Sequence, residues 1–233
     1  MKHLNLQLQA GRTVLLYGPM GSGKSALLEV LAHDMKKQRR PCGFCRSTRA
    51  LSDITEALSA AYPEVVRTGR TRRQLRRDLV YAVEARPGAL LLDHLHDVGT
   101  QFKGYLRAMR GTGLGVILAA DAEVPRDHDR LRAMHLAYLE AEVPPLPSRC
   151  LHRILDETLE AAPAPFTLTA TDRSALVRMA RGRPGWIIWA CRILGDIHYW
   201  RHGRVLLNSL RVEILTRIMG MYVSANLKTR STC

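Results

Sequence analysis

No uninterrupted apolar run in the sequence approaches the roughly 18 residues that a bilayer-crossing helix needs. The N-terminus, Met1-Lys2-His3-Leu4-Asn5, also lacks the apolar segment of a secretory signal. These two absences lead to the expectation of a soluble cytoplasmic protein with no membrane partner. Cysteine is scarce and odd in number, five in 233 residues without regular spacing. That argues against a disulfide framework and for thiols kept reduced. Internal repeats and long low-complexity tracts are missing as well. Acids are in deficit, 21 against 35 lysines and arginines, leaving a formal charge of +14.

What is present fits one α/β core with a smaller appendage, given 233 residues of which 46% are hydrophobic. The basic excess favours polyanions without choosing among them. Arginine outnumbers lysine, and a guanidinium grips phosphate through two parallel hydrogen bonds where an ammonium acts as a point charge.

Along the chain, Thr13-Val14-Leu15-Leu16-Tyr17 is a short apolar run that stops at Gly18. After Lys24 the spacing of Ala26, Leu27, Val30 and Leu31 predicts a helix, so the order is strand, glycine loop, helix. Cys42 to Ser47 reads as a second strand. A helix from about Ser52, taken as its N-cap, to Tyr62 follows, and a charged helix from Thr71 to Arg86 comes next. Ala89-Leu90-Leu91-Leu92-Asp93 and Gly115 to Ala120 have the continuous apolar character of strands buried on both faces of a parallel sheet. Pro144-Pro145-Leu146-Pro147 changes the texture, and four helices are predicted beyond it, at about 148–161, 171–181, 184–200 and 206–222. The expected architecture is an α/β, three-layer core with a parallel sheet over 1–147 and a helical lid over 148–233; the glycine loop from Gly18 to Ser25 makes it a P-loop NTPase core.

The nucleotide-binding expectation rests on Gly18-Pro19-Met20-Gly21-Ser22-Gly23-Lys24-Ser25, which fits G-x-x-x-x-G-K-[ST]. Glycines let backbone N–H groups converge on phosphates without a Cβ in the way, and the helix opening at Lys24-Ser25-Ala26 adds its positive N-terminus. Lys24 is expected to reach the terminal phosphates of ATP, and the Ser25 hydroxyl to coordinate Mg²⁺. Asp93, ending an apolar strand, is the expected second acid of the metal site, the Walker B position. Asp93-His94-Leu95-His96-Asp97 does not read as a zinc site, because residues one and two apart at a strand end do not converge on one ion. Cys42-Gly43-Phe44-Cys45 is a lone C-x-x-C, read as buried thiols.

With these motifs, the strand Ile117-Leu118-Ala119-Ala120-Asp121, the phrase Pro144-Pro145-Leu146 and the helical remainder, the order resembles AAA+ and STAND-type ATPases. The look is closest to the branch of origin-recognition proteins and TnsC, TniB and MuB-type transposition regulators. The resemblance places His94 where relatives carry a catalytic glutamate, with Asp97 a candidate replacement; an imidazole is a different base, so slow hydrolysis is implied. It places Asp121 at the γ-phosphate sensor and Arg126, Arg130 and Arg132 where an arginine finger enters a neighbouring subunit. Gly182-Arg183-Pro184-Gly185-Trp186 is similar to the G-x-P phrase of such lids, with Arg183 a candidate phosphate contact and Gly185 standing where an arginine often follows the proline. Trp186 and Trp189 read as core residues.

Arg67, Arg70, Arg72, Arg73, Arg76 and Arg77 crowd one segment, near which relatives carry insertions that line a DNA channel. Such a cluster neutralises phosphates without reading bases. The resemblance thus implies an ATPase that uses Mg-ATP to assemble, as a ring or filament of identical subunits, on DNA and to recruit a protein partner in transposition or replication. The alternative is a STAND-type switch acting on a protein partner. A small-molecule kinase lacks support, and an ABC-transporter ATPase is disfavoured because no L-S-G-G-Q phrase occurs.

Overall fold

The computed structural model describes residues 2–46, 48, 50–66, 68–94, 100–121 and 138–228. Two compact units emerge: Met1–Gly18 with Lys24–Val143, and Pro19–Gly23 with Pro144–Cys233.

The first unit contains α1 (Lys2–Gln9), β1 (Thr13–Gly18), α2 (Lys24–Lys37), β2 (Cys42–Cys45), α3 (Leu51–Ala61), α4 (Arg72–Ala85), β3 (Ala89–Leu92), α5 (Thr100–Met109), β4 (Gly115–Asp121) and β5 (Leu139–Glu142). The strands form one parallel sheet in the order β2-β3-β4-β1-β5. Side chains of a strand alternate between faces, and the core divides accordingly. Leu15, Leu90, Leu92, Val116 and Leu118 face Ile54, Leu58, Leu79, Val83 and Leu106 from α3, α4 and α5. Val14, Leu16, Leu91, Ile117 and Ala119 face Leu4, Leu8, Leu28, Leu31 and Met35 from α1 and α2. The unit is therefore a three-layer α/β/α core, and the central strands are apolar throughout because helices cover both faces.

Local chemistry sets the helix starts. In α4 the Thr71 hydroxyl accepts the Gln74 N–H at 3.3 Å while the Gln74 side-chain carbonyl accepts the Thr71 N–H at 2.9 Å, a reciprocal capping box. For α3 the expected Ser52 cap is corrected: the helix begins at Leu51, and the Asp53 carboxylate accepts the Ala50 N–H at 3.0 Å. The second strand stops at Cys45 rather than Ser47, which lies outside the described residues. β5, which the sequence pattern did not reveal, pairs along β1 as an exposed edge.

The second unit holds α6 (Ser148–Ala161), α7 (Ala170–Ala180), α8 (Pro184–Leu194) and α9 (Leu207–Lys228) around Leu151, Leu155, Leu176, Ile187, Leu194 and Ile214. It is not wholly helical. The helix expected to reach 200 ends at Leu194, and a 3-10 turn (Ile197–Tyr199) leads into the antiparallel hairpin β6 (Trp200–Arg201) and β7 (Arg204–Val205). His202 and Gly203 both have positive φ, 51° and 72°, which suits a two-residue hairpin turn. Among the described residues no helix is long and apolar enough to cross a membrane.

Candidate nucleotide-binding site

Gly18 and Asp121 are register partners at the carboxyl ends of β1 and β4, and Asp93 follows the end of β3 at the same sheet edge. In open parallel sheets that edge is where ligands bind. Lys24, the first residue of α2, donates from Nζ to the Gly18 carbonyl at 2.7 Å and lies 4.0 Å from Asp121 Oδ1. The ammonium is thus held at the carboxyl edge of the sheet and faces the acid that ends β4. An aspartate beside a phosphate site is repulsive by itself; here an ammonium stands next to it.

The loop turns at Pro19, whose carbonyl accepts the Ser22 N–H at 3.1 Å, and at Gly21 and Gly23, with φ of 79° and 99°. Met20 leaves the loop to pack on the apolar core of the helical unit. The Ser22 hydroxyl is buried without a hydrogen-bond partner, and Ser25 and Ala26 open α2. Positive-φ glycines, a lysine at the end of the loop and a helix N-terminus are the donor set that a polyphosphate requires. Among the described residues no group of three or more His, Cys, Asp and Glu side chains converges for a metal. A cation here would take most of its ligands from phosphate and water, as Mg²⁺ does, with Ser25 and Asp93 as the protein donors.

Asp93 is buried; its N–H donates to the Cys45 carbonyl at 2.9 Å and its Oδ1 accepts the His94 N–H at 2.9 Å. His94 adopts a left-handed conformation, φ 46°, with Nε2 3.7 Å from Asp93 Oδ2. Its carbonyl accepts the hydroxyl of buried Thr48 at 3.0 Å, tying the residue after β3 to the segment after β2. Thr48 belongs to no motif, and sequence reasoning missed it. Asp97, Arg126, Arg130 and Arg132 lie outside the described residues.

In the helical unit, the Arg181 and Gly182 backbones turn left-handed, Leu146 N–H donates to the Gly182 carbonyl at 2.9 Å, and Pro184 opens α8. Pro at this position is pre-set for a helix start and has no N–H to leave unpaired. The Gly185 N–H donates to the Gly21 carbonyl at 2.9 Å. Arg183 lies over the Trp186 ring, 5.8 Å from its centroid. Trp189 packs against the same apolar core.

A family profile described as "ABC transporter" matches residues 1–94, which span α1 to the acid after β3 and include the glycine loop. Solved structures match over more of the chain. The Orc1 protein of Aeropyrum pernix in complex with DNA superposes with a TM-score of 0.58 and 19% identity, over 91% of this chain and 64% of that one. The fold is that of a P-loop NTPase. The same fold relates the chain to a RuvB mutant of Thermotoga maritima, with a TM-score of 0.54 and 14% identity over 92% and 69%. AMPPCP-bound DnaA of Aquifex aeolicus gives 0.50 and 16% over 84% and 60%. The chain spans less than two thirds of the matched Orc1 and DnaA chains. Comparison with curated proteins finds no match.

The basic segment maps to α4 and the turn before it, Arg67 apart, which lies outside the described residues. Arg72, Arg73 and Arg77 are exposed, and Arg76 is half-buried. Asp78 is shared by Arg70 at 3.6 Å and Arg77 at 3.7 Å. The C-x-x-C thiols lie in β2, Cys45 buried and Cys42 half-buried, and neither forms a disulfide.

Proposed function

We propose that this chain is an AAA+-type ATPase that binds Mg-ATP on Gly18 to Ser25 and uses it to assemble as a homo-oligomer on DNA. In this reading it recruits a protein partner in transposition or replication. The observation that carries the nucleotide part is Lys24, fixed on the Gly18 carbonyl at 2.7 Å and facing Asp121 at the carboxyl edge of the sheet. When bound, Mg-ATP supplies a polyphosphate with its hydrolysable terminal bond. The chain's own residues bind and orient it: loop N–H groups and Lys24 hold the phosphates, and Ser25 and Asp93 hold the cation's shell. His94 stands where a carboxylate base is expected, its imidazole turned toward Asp93. Slow turnover follows, since no carboxylate at that position polarises the attacking water.

The DNA part rests on α4. Arg72 and Arg73 occupy its first turn, which carries no acid. Cations there oppose the helix dipole by a few tenths of a kcal/mol each, so their placement does not serve the helix. Exposed guanidiniums on that turn suit phosphate contacts made without base readout. Fluorescence anisotropy of a labelled duplex, titrated with the protein in Mg-ATP, Mg-ADP or neither at several salt concentrations, tests the reading. ATP-tightened, salt-sensitive binding that Lys24→Ala removes supports it. Binding that ATP leaves unchanged overturns the DNA part and favours a STAND-type switch on a protein partner.

A further inference from the structure

The first turn of α8 lies against Gly21 and Gly23 of the glycine loop, within one compact unit. A Cβ on Gly23 would meet Pro184 Cγ at 3.5 Å, and one on Gly21 would meet Trp186 Cδ1 at 3.1 Å. The pyrrole edge of the Trp186 indole therefore faces the loop backbone, since Cδ1 is bonded to Nε1. Trp186 is 8% exposed, yet its Nε1 is buried without an acceptor. Ser22, next to Gly21 and 6% exposed, has a hydroxyl in the same condition. Trp200, in the same unit, is satisfied: its Nε1 donates to the Leu194 carbonyl at 2.9 Å. A buried donor left without a partner is costly, and two of them flank the same glycine.

We propose that Trp186 is a phosphate-binding residue of the loop: its indole N–H, together with the Ser22 hydroxyl, donates to an oxygen of the polyphosphate held there. Two features favour an anionic acceptor. Arg183, 5.8 Å from the Trp186 ring centroid, adds positive charge beside the indole, and the loop already presents donors to anions. Both side chains gain a partner only when the polyphosphate arrives, so the ligand-free protein carries the penalty and the complex relieves it. The inference rests on the nucleotide-binding reading of Gly18 to Ser25.

The test uses Trp186→Phe, which keeps an aromatic ring in the core but removes the N–H, and Ser22→Ala. Binding of Mg-ATP and of inorganic tripolyphosphate is measured by calorimetry, and the Tm of the ligand-free protein is recorded. The expected result is a loss of about tenfold in affinity for both ligands, as for a lost hydrogen bond to a charged group. The ligand-free Tm stays unchanged or rises. Wild-type affinity for both ligands in the Phe variant overturns the proposal, as does weakened ATP binding with unchanged tripolyphosphate binding, which assigns the indole to the base. If the Phe variant folds poorly, the benzothienyl analogue of tryptophan at 186 keeps the bicyclic shape without the donor, and the same outcomes decide. Absence of binding by the wild-type protein overturns the nucleotide reading itself, a result separable from an unaffected Phe variant.

Discussion

The Gly185 backbone N–H donates to the Gly21 carbonyl at 2.9 Å, which brings the start of α8 into backbone contact with the glycine loop. Both residues must be glycine for this approach. Gly21 has φ 79°, and a Cβ on Gly185 would sit 2.7 Å from Gly21 Cα and 3.1 Å from Gly21 O. Those neighbours are backbone atoms that cannot rotate away. A side chain at 185 would therefore displace the loop.

Gly185→Ala is accordingly expected to lower stability by about 1–3 kcal/mol, the usual range for forcing atoms into a packed site, and to weaken Mg-ATP binding. Gly195→Ala is the control, because Gly195 has helical φ of −63° and its Cβ would meet nothing closer than Arg192 O at 3.6 Å. That variant should equal or exceed the wild type by up to about 1 kcal/mol. Thermal melts of the pair decide, and equal melting of the two variants removes the close-approach argument.

Thr48 and His94 make a second pair. The hydroxyl satisfies the carbonyl of a residue held at φ 46°, a conformation that costs a non-glycine residue roughly 1–2 kcal/mol. Thr48→Val should destabilise by about 0.5–1.5 kcal/mol by removing the hydroxyl's bond to the His94 carbonyl, while Thr48→Ser retains the bond and most of the stability. His94→Gly should be neutral or stabilising, since it relieves the backbone. Urea unfolding of the three variants gives the ranking, and a Val variant as stable as the Ser variant argues against the latch.

The sheet was legible because its central strands are buried on both faces: Leu90 to Leu92 and Val116 to Ala120 can be read in a row of apolar letters. β5 was not, because Leu139-Glu140-Ala141-Glu142 lies exposed on an edge and its composition suits a helix equally well. The Trp200 to Val205 hairpin was hidden by its two-residue strands, held by the His202-Gly203 turn. At the site, the loop's turns and the place of Asp93 directly after β3 are legible in the sequence. Thr48, the Gly21–Gly185 contact and the orientation of Trp186 arise from segments distant in sequence, so no local pattern records them. Gly185 in particular looks like a lost arginine in the sequence and is a close-packing residue in the fold.

On α4, Arg72→Gln and Arg73→Gln should weaken DNA binding and each reduce the slope of log K against log salt by about one. Asp78→Asn should act oppositely, because it releases Arg70 and Arg77 from a shared carboxylate. Anisotropy at a series of salt concentrations reads both effects. A full slope retained by the double glutamine variant would remove α4 from the interface.

Alkaline pH should weaken the fold. Burial pushes the Cys42 thiol from 9.0 up to about 11, against a smaller opposing pull from Arg40, and burial likewise raises the Tyr62 phenol from 10.0 to about 12. The folded chain thus favours the neutral forms, and the unfolded chain ionises first. The associated stability is fully present below pH 9 and is lost as pH rises through about 11 for the thiol and about 12 for the phenol. For Cys42 that difference corresponds to roughly 2–3 kcal/mol. Urea midpoints should therefore stay flat from about pH 7 to 8.5 and fall above about 9, and Cys42→Ser should lessen the part of that fall between about 9 and 11, to which the Cys191 thiol, also pushed by burial to about 11, contributes as well. Tyr62→Phe is the less clean variant, because the phenol also donates to the Arg86 carbonyl at 2.9 Å, so its removal lowers stability at neutral pH too. A Ser variant whose midpoint declines as steeply as the wild type's would assign the alkaline loss to other groups.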